Sequence, residues 1–393
     1  MKPASSISRL GVEGAFDVLS RARALEAKGQ KIIHLEIGEP DFPTPPHIVE
    51  AAKRALDEGY THYGPTMGLP VLREAIAKQV TSTRAMALVD PSQVGITPGA
   101  KPALFFAMLA TLEPGDEVLL PDPGFPIYAS LARYLGAVPV PVPLVESRQF
   151  SFDLNFVEDH LTPRTKMLIL NSPHNPTGGV IAEADIRELA RLLIDRDIVV
   201  ISDEIYRRIS FEDEPPFSIA SIPGMETKTI IIDGFSKSHA MTGWRLGYGI
   251  YPTWLTDAVS KLVVNSNSCT ATFVQMAGLA AVEGPQTDCE RMVAEFRKRR
   301  DAFVSLLTGI AGFNCTVPHG AFYAYPSVAG IGTNSKELED ALLTQAGVAC
   351  LSGSAFGLQG SHHLRFSMAN SLPNLQLAAH RISEWSKTSS VRS

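Results

Sequence analysis

The sequence is poor in cysteine and lacks any long apolar run. Its four cysteines, Cys269, Cys289, Cys315 and Cys350, lie far apart and form no C-x-x-C pair, which disfavours a structural zinc site and a disulfide framework. No apolar run approaches the ~20 residues that a membrane-spanning helix needs. The first residues also lack the apolar centre of a secretory signal. These absences favour a cytoplasmic protein with reduced thiols.

Familiar cofactor and catalytic motifs are missing as well. No G-x-G-x-x-G follows a predicted strand and no G-x-x-x-x-G-K-[ST] occurs, which disfavours nicotinamide and P-loop chemistry. The stretch GFSKS lacks the last glycine of the G-x-S-x-G nucleophile motif, and H-E-x-x-H does not occur, so neither a serine hydrolase nor a metal site is expected. The net charge of −6, from 35 Lys+Arg and 41 Asp+Glu, disfavours nucleic acid and anionic membranes as partners.

What the sequence does contain is a regular alternation of strand-like and helix-like segments between residues 97 and 251. The predicted strands are DEVLLPD, KMLILNSP, IVVISDE, KTIIIDG and RLGYGIY, and the predicted helices are PIYASLARYLG and EADIRELARLLIDRD. Continuous runs of apolar, often β-branched residues are typical of a sheet that helices cover on both faces. The predicted fold class is therefore α/β, with a doubly wound, mostly parallel sheet.

The pattern changes after about Gly284. A long polar helix, ERMVAEFRKRRDAFVSLL, is followed by a strand-like GAFYAYP and a closing helix. This change predicts a large domain at residues 45–284 and a smaller α+β domain at 285–393, with the N-terminal segment 1–44 contributing to the smaller one.

Ligands of open α/β sheets bind at the carboxyl ends of the strands. Three polar stretches follow predicted strands at this edge, at residues 171–178, 203–206 and 234–237. We therefore expect the functional side chains to come from these three stretches.

Eight stretches spread over nearly the whole chain occur in a characteristic order. They are HLEIGEPDFPTP, THYGPTMGLPVLREAI, TPGAKPAL, LPDPGFPIY, NSPHNPTGG, ISDEIYRRI, DGFSKSHAMTGWRLGYGI and HLRFSMA. Together they resemble the fold-type I aminotransferases of class I/II, the aspartate aminotransferase superfamily, which use pyridoxal 5'-phosphate (PLP). The resemblance implies an enzyme that moves an amino group between an L-amino acid and a 2-oxo acid by a ping-pong mechanism.

The same resemblance implies the residues that hold the cofactor ring. Lys237 matches the lysine that binds the PLP aldehyde as a Schiff base and later moves the substrate's Cα proton, which requires a neutral amine near pH 7. Asp203 matches the acid that keeps the ring nitrogen protonated. Tyr206 and Asn175 match the hydrogen-bond partners of the ring's phenolic oxygen. Arg245 matches the phosphate-binding arginine, and we expect its charge to disfavour the ammonium form of the lysine.

Further residues are implied for the cofactor phosphate. The predicted helix in TPGAKPALFFAMLATL begins at Gly99, Ala100 and Lys101, and a helix start offers backbone N–H groups to an anion. Some family members have a hydroxyl residue where Gly234 stands here. One phosphate contact is therefore expected either to be missing or to be supplied by Ser236.

The resemblance also implies the substrate contacts and a homodimer. Arg365 matches the arginine that grips the substrate's α-carboxylate through two parallel hydrogen bonds, although a structural ion pair is an alternative role. Gly38 is expected to lend its backbone to the same carboxylate. Asn175 and Phe125 are expected to contact both cofactor and substrate, with Phe125 stacking on the pyridine ring. Tyr63 matches a tyrosine that reaches the cofactor phosphate of a neighbouring subunit.

The amino donor stays open among apolar or aromatic amino acids, alanine and aspartate. Ala15 and Phe16, where a substrate side chain passes, favour an apolar donor. Lys101 favours aspartate, because some aspartate-using relatives have a cation there for the distal carboxylate.

Two alternatives to transamination remain. One is a PLP-dependent lyase that cleaves a carbon–sulfur bond on the same fold. The other is a non-enzymatic PLP-binding regulator domain. It is disfavoured because the family motifs begin near His34 and no basic DNA-binding module is evident.

Overall fold

The computed structural model describes residues 1–86 and 88–388. The strands are β1 (Ile33–His34), β2 (Val94–Thr97), β3 (Glu117–Asp122), β4 (Val138–Val145), β5 (Ser151–Phe152), β6 (Thr165–Asn171), β7 (Val199–Asp203), β8 (Thr229–Gly234), β9 (Gly247–Ile250), β10 (Tyr323–Ala324), β11 (Val348–Ala349), β12 (Leu351–Ser352) and β13 (Leu364–Ser367). The α-helices are α1 (Gly14–Glu26), α2 (Pro46–Asp57), α3 (Pro70–Thr83), α4 (Ala100–Thr111), α5 (Ile127–Leu135), α6 (Leu154–Asp159), α7 (Glu183–Leu193), α8 (Thr253–Ser266), α9 (Thr272–Glu283), α10 (Thr287–Thr308), α11 (Ser335–Ala341) and α12 (Leu372–Thr388).

Eight strands form one large sheet in the order β2-β9-β8-β7-β6-β3-β4-β5. The five neighbours from β8 to β4 run parallel, whereas β9 is antiparallel to both β2 and β8, and β5 is antiparallel to β4. The predicted α/β class with a mostly parallel sheet is therefore confirmed.

Helices cover both faces of this sheet, which explains its continuous apolar strands. Along β7, Val199 and Ile201 pack on one face with α4, α5 and α8, while Val200 packs on the other face with α7. Successive side chains of a strand point to opposite faces, so a strand buried on both sides needs apolar residues at every position.

A second group of short strands packs with the two longest helices. Strands β10, β13 and β12 form a small antiparallel sheet, and α10 and α12 pack on it around Phe303, Phe366 and Ile382. The N-terminal β1 joins this group by pairing in parallel with β11. The pairing agrees with an N-terminal segment that contributes to a smaller domain, and the boundaries at residues 44 and 284 stay a prediction. Residues 389–393 of the predicted C-terminal domain lie outside the described residues.

Several strands differ from the sequence-based prediction. GAFYAYP was expected to be strand-like over its whole length, but only Tyr323–Ala324 pairs in a sheet. The strand β4 was not predicted at all. None of the helices within the described ranges is long and apolar enough to cross a membrane.

Candidate active site

A cavity of about 410 Å³ opens at the carboxyl edge of the large sheet, where β6, β7 and β8 end. The three polar stretches singled out in the sequence all contribute to it. The sequence-predicted residues that line it are Gly38, Ala100, Lys101, Phe125, Asn175, Asp203, Tyr206, Ser236, Lys237, Arg245 and Arg365. Tyr63 is 90% exposed and lies outside the cavity of its own chain.

Lys237 lies in the turn that follows β8. Its Nζ donates a hydrogen bond to the backbone oxygen of Gly38, from the N-terminal segment. It also lies 6.0 Å from the centre of the Phe322 ring. The lysine therefore projects from the large sheet toward the opposite wall of the cavity and away from bulk solvent.

The surroundings of Lys237 favour its neutral form. Burial lowers the pKa of this amine to about 8, Glu39 opposes the shift, and the cations Arg365 and Lys101 add to it. Arg245, which was predicted to be the neighbouring cation, is not among the largest contributions to this shift. Its guanidinium is exposed to solvent, which screens its charge.

Asp203 is the last residue of β7 and is buried. The hydroxyl of Tyr128 donates a hydrogen bond of 2.7 Å to its Oδ2, and the backbone N–H of Ile205 donates one of 3.2 Å to its Oδ1. Burial nevertheless raises the pKa of the Asp203 carboxyl to about 6, and the nearby carboxylates of Asp233 and Glu204 contribute to the rise. A cation facing this carboxyl would stabilise its ionised form.

Glu204 follows Asp203 directly but does not line the cavity. Its Oε2 accepts a 2.6 Å hydrogen bond from Nε of Arg84, and its Oε1 accepts hydrogen bonds from Ser202 and Ser218. Arg84 also bonds Asp233 at 2.5 Å. A buried ion-pair group of Arg84, Glu204 and Asp233 thus lies behind the strand ends that carry the candidate site.

Gly99, the residue before α4, leaves room for the guanidinium of Arg245 because it has no side chain. Its φ of +94° is in the left-handed region, and an added Cβ would lie 2.1 Å from Nη2 of Arg245. Its N–H bonds Thr97 O, so Gly99 contributes through the room that it leaves rather than through a free donor. The first turn at Ala100, the buried Ser236 and the guanidinium of Arg245 converge at this end of the cavity.

Arg365, on β13, is buried at the opposite end. Its Nη2 donates to the backbone oxygen of Glu36 at 2.5 Å and its Nη1 donates to Oδ1 of Asn175 at 3.1 Å. Its Nε has no partner, and no carboxylate in the described part of the chain lies within 4.0 Å of its guanidinium. The alternative of a structural ion pair is therefore wrong. The rings of Tyr323 and Phe356 lie 4.6 and 5.0 Å from the guanidinium carbon.

Two tyrosines of the cavity were not identified from the sequence. The first is Tyr323, whose hydroxyl lies 2.7 Å from that of Tyr206. An added Cβ on Gly38 would lie 2.1 Å from the Tyr323 hydroxyl. The other is Tyr128, the partner of Asp203 in the first turn of α5. Tyr128 lies within the quoted stretch LPDPGFPIY, so its position could have signalled it. Tyr323 lies in a stretch that was interpreted only as a strand.

The mouth of the cavity carries both charged and apolar groups. Nζ of Lys101 forms an ion pair with Oε1 of Glu13, and it lies 5.4 Å from the centre of the Phe125 ring. Ala15 and Phe16 complete this side, and Phe16 is 64% exposed. The two sequence clues that disagreed about the amino donor therefore meet at the same place.

A doubly wound sheet with a partly buried lysine and a buried acid at its carboxyl edge defines an α/β enzyme of fold type I. Comparison with known proteins is in line with this class. The family of class I and II aminotransferases matches residues 30–382. An aspartate aminotransferase from Pyrococcus abyssi is 40% identical over 359 residues, which cover 91% of this chain and 92% of that protein. Aromatic-amino-acid aminotransferase 2 from Thermococcus litoralis is 37% identical over 89% of this chain and 90% of that protein.

The similarity extends to three-dimensional structure. An alanine aminotransferase from Pyrococcus furiosus superposes with a TM-score of 0.92 at 32% identity. The superposition covers 99% of this chain and 100% of that structure. The chain belongs to the class I and II aminotransferases and is a PLP-dependent aminotransferase. The sequence-based prediction of this activity is confirmed, and the relatives give no support to the lyase or the regulator alternative.

Proposed function

We propose that the cavity binds PLP covalently through Lys237 and exchanges an amino group between an L-amino acid and a 2-oxo acid. The observation that carries this assignment is the lysine itself. Its amine is partly buried, its pKa is lowered to about 8, and it shares one cavity with the buried carboxyl of Asp203. A lysine of this kind is a nucleophile toward carbonyl groups near neutral pH.

The residues at the phosphate end and around Asp203 fit PLP. Asp203 has a pKa raised to about 6 and forms no ion pair with any described residue, so a protonated ring nitrogen would complete its environment. Arg245, Ser236 and the start of α4 offer cationic and polar groups for the phosphate, and Gly99 leaves room beside Arg245.

The remaining cavity residues fit the ring and the substrate. Phe125 offers an aromatic face for the ring. Tyr206 has a hydroxyl for the ring's phenolic oxygen, and the amide of Asn175 has Nδ2 free of the contact to Arg365. The unpartnered Nε of Arg365 suits an α-carboxylate, and the backbone of Gly38 lies beside the lysine.

When bound, PLP supplies an aldehyde and a ring that withdraws electrons from the Cα of an amino acid. The protein's own groups do the rest. Asp203 holds a proton on the ring nitrogen, and Arg365 fixes the substrate's carboxylate. Lys237 in its neutral form would take the proton from the Cα of the donor amino acid. In the other half of the exchange it would deliver a proton to the Cα that derives from the accepting 2-oxo acid. The lowered pKa permits this near pH 8.

The active unit is proposed to be a homodimer. Tyr63 is 90% exposed and does not line the cavity of its own chain, as is expected of a residue that serves a neighbouring subunit. Light scattering combined with activity across a dilution series tests this. A fully active monomer contradicts it. A cytoplasmic location is proposed because none of the four cysteines is paired, the usual state in a reducing compartment.

The covalent role of Lys237 is tested by loading the protein with PLP, reducing it with borohydride and locating the adduct by peptide mass spectrometry. Wild type and K261A, which removes an exposed lysine of α8, are expected to carry the adduct on Lys237. K237A is expected to carry none. An adduct of equal yield in K237A contradicts the assignment.

The reaction is tested by adding single amino acids to the loaded enzyme without an acceptor. Release of the matching 2-oxo acid, one per active site, supports transamination. Continuous release of ammonia under the same conditions contradicts it and indicates a lyase.

A further inference from the structure

An ion pair closes the mouth of the cavity from two different parts of the chain. Lys101 lies in the first turn of α4, which packs on the large sheet, whereas Glu13 directly precedes α1 in the N-terminal segment. The carboxylate and the ammonium group are in direct contact, and both residues line the cavity. Lys101, the cation that could meet the distal end of a substrate, is therefore already matched by a carboxylate of the protein.

Glu13 is held in this position by the fold. It is the N-cap residue of α1, a place where side chains commonly bond the helix's own N–H groups, yet its side chain makes no such bond and extends to Lys101. The helix behind it is anchored by Val18 and Ala22, which pack against Leu343 and neighbouring residues. The carboxylate is thus presented by a packed helix and not by a loose chain end.

The cavity holds a second carboxylate of the protein besides Glu13. Besides Glu13, the carboxylate of Glu39 lines the same cavity, and it accepts a hydrogen bond from Thr242 rather than from a cation. Two carboxylates therefore accompany the single ammonium group of Lys101. The other groups on this side, Phe16 among them, are apolar. A second carboxylate brought by a substrate would be repelled by Glu39 and would have to displace Glu13.

We propose that Glu13 is a specificity-determining residue that neutralises Lys101 and directs the enzyme to amino acids with uncharged, apolar side chains. This inference rests on the proposed function, in which Arg365 takes the α-carboxylate and leaves the donor's side chain at the mouth. A neutral side chain leaves the Glu13–Lys101 pair intact and packs on the apolar groups beside it. Aspartate or glutamate has to break the pair before it can use Lys101.

The test compares two unreactive ligands on the PLP-loaded enzyme, succinate for a dicarboxylic substrate and 3-phenylpropionate for an aromatic one. Titrations with wild type, E13Q and K101M yield the dissociation constants. In E13Q, Lys101 is released to the distal carboxylate, so succinate is expected to bind about fivefold more tightly, as for one partly exposed ion pair. Binding of 3-phenylpropionate is expected to stay the same. In the double variant E13Q/K101M most of the gain for succinate is expected to disappear.

D17N is the matched control, because it removes one negative charge from the exposed side of the same helix start, outside the cavity. It is expected to leave both dissociation constants unchanged. The ratio of kcat/KM for aspartate to that for phenylalanine is expected to follow the succinate result, and the ratio is independent of how much of each variant is folded.

Two results overturn the inference. One is a ratio of kcat/KM for aspartate to that for phenylalanine that is the same in E13Q and D17N. The other is a gain in succinate affinity that is as large in E13Q/K101M as in E13Q. Both leave transamination by the wild type intact. If the wild type transaminates no amino acid, the proposed function fails, and the inference fails with it.

Discussion

Arg84 provides a quantitative test of the buried ion-pair group behind the site. Its side chain is 3% exposed and bonds Glu204 at 2.6 Å and Asp233 at 2.5 Å. In R84M both carboxylates stay buried, and among the described residues Arg207, 3.9 Å from Glu204, is the cation that remains. Breaking a buried pair by removing one partner costs about 3–5 kcal/mol, so R84M is expected to lose at least this much of its free energy of unfolding at pH 8.

The loss should depend on pH in a defined direction. Burial already raises the pKa of the Asp233 carboxyl even with Arg84 present. Burial also opposes the lowering of the Glu204 pKa that Arg84 causes. Without Arg84 both carboxyls have folded-state pKa values above their unfolded values. The folded state then binds more protons than the unfolded one, and stability falls as pH rises above about 4. The destabilisation of R84M is therefore expected to be smaller at pH 5.5 than at pH 8.

The assay is urea unfolding followed by circular dichroism at both pH values. R191M is the control, because Arg191 bonds Glu188 at 2.6 Å but the two side chains are 61% and 42% exposed. An exposed pair contributes about 0–1 kcal/mol. Equal losses in the two variants, or a loss in R84M that is the same at both pH values, would refute the argument from burial.

Two further predictions concern the cofactor cradle and the N-terminal segment. G99A forces a Cβ to within 2.1 Å of Arg245 and is expected to weaken PLP binding at least about tenfold in a fluorescence titration, whereas G29A, with φ +89° but nothing within 4 Å, leaves the affinity unchanged. A hydrogen bond to Glu36 raises the pKa of His34 from 6.5 to about 9, so this pairing stabilises the fold fully below pH 6.5 and is lost as the pH rises through 9. H34Q should therefore be less stable than wild type at pH 6 but equal to it at pH 10 in thermal melts. A difference in melting temperature between H34Q and wild type that is the same at pH 6 and pH 10 contradicts this.

The continuous apolar strands of the large sheet were predictable because both of their faces are buried, whereas β4 was not. Its sequence, VPVPVPLV, contains a proline at every second position, and proline removes a donor that a strand usually needs. Val138 N donates to Asp116 O on the side of β3, so the prolines at alternate positions have their missing N–H groups on the side away from β3. On that side β4 pairs only near its end, with β5. A strand with one open side therefore tolerates these prolines.

The residues of the candidate site were identified because they lie in sequence stretches that occur in the order typical of the family. Eleven of these residues line one cavity. What the sequence alone could not reveal is how these residues meet one another. Neither the hydrogen bond of Tyr128 to Asp203 nor the contact between the hydroxyls of Tyr206 and Tyr323 follows from local spacing. Such contacts depend on how α5 and the small sheet pack against the strand ends. The same holds for Glu13, whose partner lies on a helix that starts 87 positions further along, at Ala100.

The pairing of β1 with β11 has a consequence for the order in which the molecule assembles. Ile33 and His34 leave the ribosome early, but their partners, Val348 and Ala349, are made about 300 residues later, and such a long loop is slow to close. The large sheet needs only residues up to Ile250 and can fold while synthesis continues. The wall that carries Gly38 and Arg365 is therefore expected to be finished last. A nascent chain would then acquire the lysine and acid of the large sheet before it can hold a substrate.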